Sequence, residues 1–187
     1  SWFNFEYVLG SSTQYASATG RMVDSQKYTT YYERDQVLSF LEQGKGSSQP
    51  FFVIWSPSAP HDQATPAPED ATAYSNYVYR GRGYTESDLS DKPWWVRYST
   101  DRDGNDEFVR KQRRTLLGVD RSLAAIVDRI AQHGKLGNTL IVFTSDNGYM
   151  WGEHGLWGKD KAYEESTRVP LVVVMPGVAP RAETRLV

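Results

Sequence analysis

The feature that most constrains this chain is an apolar run that leads directly into an Asp-Asn-Gly turn. Residues 139–143 read Thr-Leu-Ile-Val-Phe, a pattern typical of a strand, and the turn follows at Asp146, Asn147 and Gly148. Lys159 comes only eleven residues after the turn ends. Two hard oxygen donors at a strand end, with a cation close behind, suit a metal ion beside a tetrahedral anion.

Each of these residues also has an ordinary structural interpretation. A simple Asx turn after a strand accounts for Asp146 and Asn147, and a lysine beside a glycine in a loop is usually a solvated charge. The combination of strand, turn and lysine favours the functional interpretation. In that interpretation Lys159 neutralises an oxygen of a bound oxyanion, an electrostatic effect that is often the largest part of catalysis.

Four further side chains are candidates for the same site. His61 follows the apolar run 51–55, and it would hydrogen-bond an ester oxygen or donate a proton to a leaving group. His154 lies in the loop between the turn and Lys159, where it either assists or only stabilises local structure. Trp151 and Trp157 bracket His154, and they would either stack on the body of a substrate or pack a loop.

Composition excludes several classes of function. The chain has 187 residues with a formal net charge of −2, so no strong general attraction to nucleic acid or anionic lipid is expected. No apolar run approaches the roughly 20 residues needed to span a bilayer. The sequence has no cysteine, which removes disulfides, thiolate nucleophiles and cysteine–zinc sites together.

The apolar patterns predict an α/β arrangement. Residues 1–32 read as short strands and turns, the stretch 56–106 reads as irregular, and helices are predicted at 34–43 and 107–134. Strands are predicted at 51–55, 139–144 and 169–175, and the first and last of these are expected to be buried.

The order strand, helix, strand indicates a sheet with parallel neighbours. Ligands of such sheets gather beyond the carboxyl ends of the strands. His61 lies just past one predicted strand end, and Asp146 and Asn147 lie just past another. The sequence therefore predicts that these side chains meet at one edge of the sheet.

Taken together, several sequence motifs resemble the downstream part of the sulfatase catalytic domain, and they look nearest to its N-acetylglucosamine-6-sulfatase branch. The resemblance covers roughly residues 34–180. It rests on Pro-Phe-Phe-Val-Ile at 50–54, Ala-Pro-His at 59–61, Leu-Gly-Val-Asp at 117–120, the run from Gly137 to Gly148, Gly-Glu-His-Gly at 152–155, Gly-Lys at 158–159, Tyr-Glu at 163–164 and Val-Pro-Leu at 169–171.

The resemblance implies an α/β, alkaline phosphatase-like central sheet flanked by helices, incomplete because the amino-terminal part is missing. It implies a Ca²⁺, with Mg²⁺ as the alternative, held partly by Asp146 and Asn147. Lys159 and His61 would contact the sulfate. The substrate would be a sulfated small molecule or carbohydrate. Sulfatases of this kind are often exported, to the periplasm, the extracellular space or the lysosome.

The resemblance also implies a formylglycine nucleophile, made from a Cys or Ser in a Cys/Ser-x-Pro/Ala-x-Arg motif. This chain has no cysteine, and the stretch Ser56–Pro60 lacks the required arginine. We therefore expect residues 1–187 to be a fragment of a single sulfatase catalytic domain, with 62–106 as an irregular loop region on the substrate side. The nucleophile and the remainder of the domain would lie outside the chain.

Two other functions remain open from the residues alone. A phosphodiesterase or phosphonate monoester hydrolase of the same superfamily would bind a similar tetrahedral oxyanion with similar side chains. A non-catalytic fragment is the third hypothesis, and the missing nucleophile supports it.

Overall fold

The structure is a computed structural model, and it describes residues 27–81, 83–84, 86–98 and 105–183. Most of the predicted strands and turns of residues 1–32 lie outside these ranges. The chain divides into two compact units. The first comprises Ser1–Val78 and Asn105–His133, and the second comprises Tyr79–Gly104 and Gly134–Val187.

The described residues contain both helices and strands. The helices are α1 (Thr29–Gln43), α2 (Trp94–Arg97), α3 (Asp106–Gln132) and α4 (Glu164–Thr167), with short 3₁₀ helices at Pro68–Asp70 and Leu136–Asn138. The strands are β1 (Ile141–Thr144), β2 (Met150–Trp151), β3 (Trp157–Gly158) and β4 (Leu171–Val174). No helix of the described ranges is long and apolar enough to cross a membrane.

Helix α3 confirms the prediction for 107–134. The Asn105 side chain caps its start by accepting a hydrogen bond from the backbone N–H of Phe108 at 3.0 Å. The helix ends before Gly134, which has a φ of 69°. Ile126 and Ile130 on its apolar face pack against Leu41 of α1, and this contact forms a core of the first unit.

Helix α1 begins at Thr29, so the β-favouring interpretation of residues 28–32 is wrong. Tyr28 is 4% exposed and meets Tyr31 edge-on, with ring centroids 5.2 Å apart. Tyr28 packs with Ala59 and with Val119 of α3. Burial against another helix has overridden the local β propensity of these residues.

The predicted buried strand at 51–55 is also wrong, because these residues have no regular secondary structure. Phe51 and Trp55 pack onto the α1–α3 core, whereas Phe52 and Ile54 are 83% and 76% exposed. The run therefore alternates between covered and open side chains, as a strand would. A regular strand also needs a hydrogen-bonded ladder with a neighbouring strand, and the described ranges contain no such ladder along this run.

In the second unit β1 pairs with β4, with Ile141 opposite Val174 and Thr144 opposite Leu171. The pairing is antiparallel, whereas the strand–helix–strand order had indicated a sheet with parallel neighbours. The prediction that the 169–175 strand is buried is wrong as well. Apolar side chains of this two-stranded ribbon are 40–54% exposed, namely those of Val142, Phe143, Leu171, Val172, Val173 and Val174.

A second antiparallel pair, the β2–β3 hairpin, is better covered. Met150 faces Gly158 across this hairpin and Trp151 faces Trp157. Met150 is fully buried, and it packs with Val96 of α2 and with Leu156. These contacts fix the hairpin within the second unit, and the candidate site residues lie at its two ends.

Candidate functional site

Asp146 and Asn147 lie in the turn that leaves β1. The Asp146 side chain is exposed, and its Oδ1 accepts a hydrogen bond from the Asn147 backbone N–H at 2.9 Å. The Ser145 hydroxyl donates to the Asn147 carbonyl at 2.9 Å. Local hydrogen bonds therefore order this turn, which carries both oxygen-bearing side chains at the end of the strand.

Lys159 and Asn147 are brought together by the β2–β3 hairpin. Asn147 precedes the hairpin and Lys159 follows it, and the Lys159 Nζ donates a hydrogen bond to the Asn147 Oδ1 at 3.2 Å. Both side chains are only partly exposed. An ammonium group thus lies directly beside an amide oxygen that is a candidate metal ligand.

Gly148 keeps the turn close to the segment around α4. Its backbone N–H donates to the Ser166 carbonyl at 2.9 Å. A Cβ at this position would lie 3.0 Å from the backbone oxygen of Arg168 and nearer still to that of Glu165. Glycine is needed here for space, because any larger residue would push the Asn147 turn away from α4.

Glu153 is a residue of this region to which the sequence pattern assigned no role. It is fully buried at the tip of the hairpin. Its Oε2 accepts a hydrogen bond from the Trp151 backbone N–H at 2.6 Å, and its Oε1 accepts from the Tyr79 hydroxyl. These bonds tie the hairpin tip to the chain near residue 79. The sequence signal that could have suggested a role for it is an acidic residue placed between Gly152 and Gly155.

His154 takes part in a local network of side chains. Its Nδ1 lies 2.9 Å from Glu86 Oε2, its Nε2 lies 3.9 Å from Glu165 Oε2, and its ring stacks on Tyr163 at 4.6 Å. The hydrogen bond with His154, reinforced by Lys92, lowers the pKa of Glu86 below its usual value. These contacts explain His154 as a structural residue, and its role toward a substrate stays a prediction.

The two candidate tryptophans face each other across the hairpin and belong to a group of aromatic rings. The Trp157 ring meets Tyr149 edge-on at 5.8 Å, and the Trp151 ring meets Tyr79 at 5.0 Å. Both tryptophans are partly exposed. Packing therefore fixes the rings, while the part left open to solvent remains available for stacking.

His61 belongs to the first unit, whereas the other candidate residues belong to the second. It is exposed, and its backbone N–H donates to the Ser58 carbonyl at 2.8 Å. The preceding carbonyl, of Pro60, accepts a hydrogen bond from Gln112 Nε2 of α3 at 3.0 Å. The turn that carries His61 is thus anchored to the longest helix.

The residues present fit a calcium ion in kind but not in number. A carboxylate and an amide oxygen are the hard donors that Ca²⁺ prefers, but the ion takes roughly six to eight oxygens. Within the described ranges, no group of three or more His, Asp or Glu side chains is placed to hold a metal ion. Asp146 and Asn147 alone therefore offer fewer oxygen ligands than Ca²⁺ takes.

Comparison with known proteins decides the family. The Sulfatase family model matches residues 2–187, which is nearly the whole chain. The chain belongs to the sulfatase family.

Two curated relatives illustrate how far the similarity extends. The N-acetylglucosamine-6-sulfatase of Bos taurus is 35% identical over 157 residues, which is 80% of this chain and 28% of that protein. A Caenorhabditis elegans protein, whose name describes an extracellular sulfatase homologue, is 28% identical over 95% of this chain and 27% of its own length. The chain thus spans little more than a quarter of these relatives.

Solved structures show the fold. A structure determined with D-glucosamine-2-N,6-O-disulfate has a TM-score of 0.65 at 23% identity, over 84% of this chain and 45% of that one. The phosphonate monoester hydrolase of Silicibacter pomeroyi has a TM-score of 0.61 at 25% identity, over 81% and 33%. The sulfatase chain described here therefore has part of the α/β, alkaline phosphatase-like fold.

Proposed function

We propose that this sulfatase chain is part of the catalytic domain of a sulfuric ester hydrolase that acts on sulfated sugars. The observation that carries the proposal is the contact between Lys159 Nζ and Asn147 Oδ1 at the end of β1. The similarity to an N-acetylglucosamine-6-sulfatase and to a structure that holds a disulfated glucosamine supports the substrate class.

In this proposal Asp146 and Asn147 are calcium ligands. When bound, the ion supplies positive charge next to the sulfate oxygens. Lys159 adds a second positive charge, because its Nζ lies 3.2 Å from one of the two ligand oxygens and has hydrogen-bond capacity for an anion. His61 would hydrogen-bond the ester oxygen and donate a proton as the alcohol leaves.

We propose further that the rest of the catalytic domain covers the β1–β4 ribbon and supplies the formylglycine. The ribbon exposes apolar side chains on both faces, such as Val142, Val172 and Val173 at 50–53%. Sheets with apolar residues on both faces are normally buried on both sides. The chain covers only 28% of the bovine relative. In a protein of that length, the residues outside this chain would supply the polypeptide that covers the ribbon.

Measuring the chain alone and with the remainder of the protein tests this proposal. We expect the purified 187 residues neither to hydrolyse an aryl sulfate nor to bind Ca²⁺ tightly, because two ligands are too few. Turnover and tight binding should appear in the full-length protein. Turnover by the isolated chain would contradict the proposal.

The non-catalytic hypothesis is decided on the full-length protein as well. Mass spectrometry of the peptide that contains a Cys/Ser-x-Pro/Ala-x-Arg motif would show the conversion to formylglycine. A full-length protein that lacks the motif, or that leaves it unconverted and shows no turnover, would establish the non-catalytic function.

A phosphonate monoester hydrolase is the second candidate, and the structural similarity to such an enzyme at 25% identity favours keeping it. Sulfate monoesters carry one negative charge, as do phosphonate monoesters, so Lys159 and a calcium ion suit both. The ratio of kcat/KM for matched aryl sulfate and aryl phosphonate substrates separates the two. We expect the sulfate to be preferred.

We also propose that the protein is exported. The support is the relative whose name describes an extracellular sulfatase, which aligns with 95% of this chain. Detection of the tagged full-length protein in the medium, the periplasm or the lysosome of its host would test this location. Retention in the cytoplasm would contradict it.

A further inference from the structure

We infer that α2 and the residue after it form an accessory binding surface for sugar residues next to the one that carries the cleaved sulfate. This surface, the α2 aromatic face, consists of Trp94, Trp95 and Tyr98. The inference rests on the proposed function, because it assumes a sulfated oligosaccharide as the substrate. The binding chemistry would be stacking of aromatic rings on sugar rings, together with attraction between cations and sulfate groups.

The first observation is the exposure of these rings. Trp94 is 69% exposed, Tyr98 is 79% exposed and Trp95 is 41% exposed. Trp94 and Tyr98 are four residues apart, so they lie one above the other on the same side of the helical turn. Two neighbouring aromatic rings left in water offer apolar faces on which a sugar ring can stack.

The second observation is that this short helix is fixed in place from its other side. Val96 points away from Trp94 and Tyr98 and is fully buried. It packs with Met150 of β2 and with Leu156, the residue before β3. The aromatic face is thus held by the same hairpin that places Lys159 beside Asn147, so both features belong to one packed unit.

The third observation is charge. Lys161, two residues beyond Lys159, has its Nζ 6.0 Å from the centre of the Trp95 ring. Arg97 is an exposed cation in the last turn of the same helix. Aromatic rings interleaved with cations complement a sugar chain that carries sulfate groups, because the rings meet the apolar C–H faces and the cations meet the anions.

Binding of a sulfated N-acetylglucosamine oligosaccharide to the full-length protein tests the inference. Comparison of the wild type with the double variant Trp94→Ala/Tyr98→Ala is expected to show a Kd for the oligosaccharide weakened about tenfold, as the loss of two ring contacts implies. The effect should shrink as the sugar chain is shortened to N-acetylglucosamine-6-sulfate. In turnover measurements KM for the oligosaccharide should rise more than kcat falls.

Controls separate this inference from the proposed function. Phe40→Ala removes another exposed aromatic ring, 46% exposed on α1, and should leave oligosaccharide binding unchanged. Lys159→Ala should lower kcat/KM for every sulfate ester by about 10²–10³-fold. If Lys159→Ala behaves as expected but the double variant binds oligosaccharide as the wild type does, the accessory surface is refuted and the proposed function stands. Loss of self-association, or of contact with the rest of the domain, in the double variant would assign the face to a protein interface and overturn the inference.

Discussion

The α1–α3 helix pair and the β1–β4 ribbon differ in what covers their apolar side chains. In the helix pair, Leu41, Ile126 and Ile130 are 5–8% exposed because each helix covers the other. In the ribbon, Val173 and Val174 are 50% and 54% exposed, although the ribbon is the more apolar of the two. The helix pair completes its own core, and the ribbon does not.

Because of this difference, we expect the helix pair to contribute mainly to stability and the strand region to contribute mainly to function. The helix pair can supply most of the folding free energy of its unit, since burial of apolar surface is the main stabilising term. The strand half of the chain places Asn147 and Lys159, and its ribbon leaves apolar side chains exposed. Substitutions in the two regions should therefore affect different measured quantities.

The largest expected effect is on turnover. In the full-length protein, Lys159→Ala and Asp146→Ala should each lower kcat/KM by about 10²–10³-fold, because each removes charge or metal ligation next to the developing anion. The unfolding temperature should change little, since both side chains are at least partly exposed. Steady-state kinetics on an aryl sulfate and a thermal unfolding curve measure both effects.

Lys45→Ala is the matched control, because this lysine is exposed and, among the described residues, its ion pair is with Glu42 on α1. It should leave both turnover and stability unchanged. The assigned roles would be wrong if Lys159→Ala lowered stability while turnover per folded molecule stayed the same.

The next effect is on stability. Ile126→Ala should lower the free energy of unfolding by about 2–5 kcal/mol, because it leaves a cavity between α1 and α3. Chemical denaturation measures the change. Leu116→Ala on the same helix is the control, since Leu116 is 42% exposed and its loss should cost less than about 0.5 kcal/mol. Equal losses for the two variants would mean that the helix pair is not the stabilising core.

The stability of the helix pair should also depend on pH, because Tyr28 is buried next to it. Burial raises the pKa of Tyr28 from 10.0 to about 12. The folded state therefore resists ionisation, so stability should be intact below pH 10 and should fall as the pH rises toward 12, by up to about 2 kcal/mol. Thermal unfolding between pH 9 and 12 measures this loss. Tyr28→Phe should remove the part of the loss that belongs to Tyr28, and an unchanged profile would contradict the assignment.

The smallest effect concerns an ion pair near the site. Glu164 and Arg168 are four residues apart, and their charged groups lie 3.9 Å apart with side chains 79% and 82% exposed. Arg168→Ala should change the free energy of unfolding by less than about 0.5 kcal/mol, because water screens so exposed a pair. A loss above 1 kcal/mol in chemical denaturation would show a larger structural role.

Sequence patterns predicted the parts of the fold whose causes are local. Helix α3 was predicted at 107–134 from its apolar periodicity, and the structure places it at Asp106–Gln132. Strand β1 and its turn followed from an apolar run and Asp-Asn-Gly in the same way. The contact between Asn147 and Lys159 agrees with the expectation that a cation lies close to the Asp-Asn-Gly turn.

The failures have a common physical cause, which is the dependence on distant neighbours. The run 51–55 has strand-like alternation but no described partner strand, and β4 is apolar but uncovered. Glu153 could not be assigned, because its partners Tyr79 and Trp151 are defined only by the folded hairpin. The proposed meeting of His61 with the Asp146 turn depends on a similar long-range arrangement and stays a prediction.

The β2–β3 hairpin sets the separation between the amide of Asn147 and the ammonium of Lys159, and both of its ends are fixed. Its tip is held by Glu153 and its base by the pairing of Met150 with Gly158. An insertion or deletion of one residue would therefore shift the register by one place and turn Lys159 to the opposite side. Natural variation in length should consequently be rarer between residues 147 and 159 than in the loops on either side.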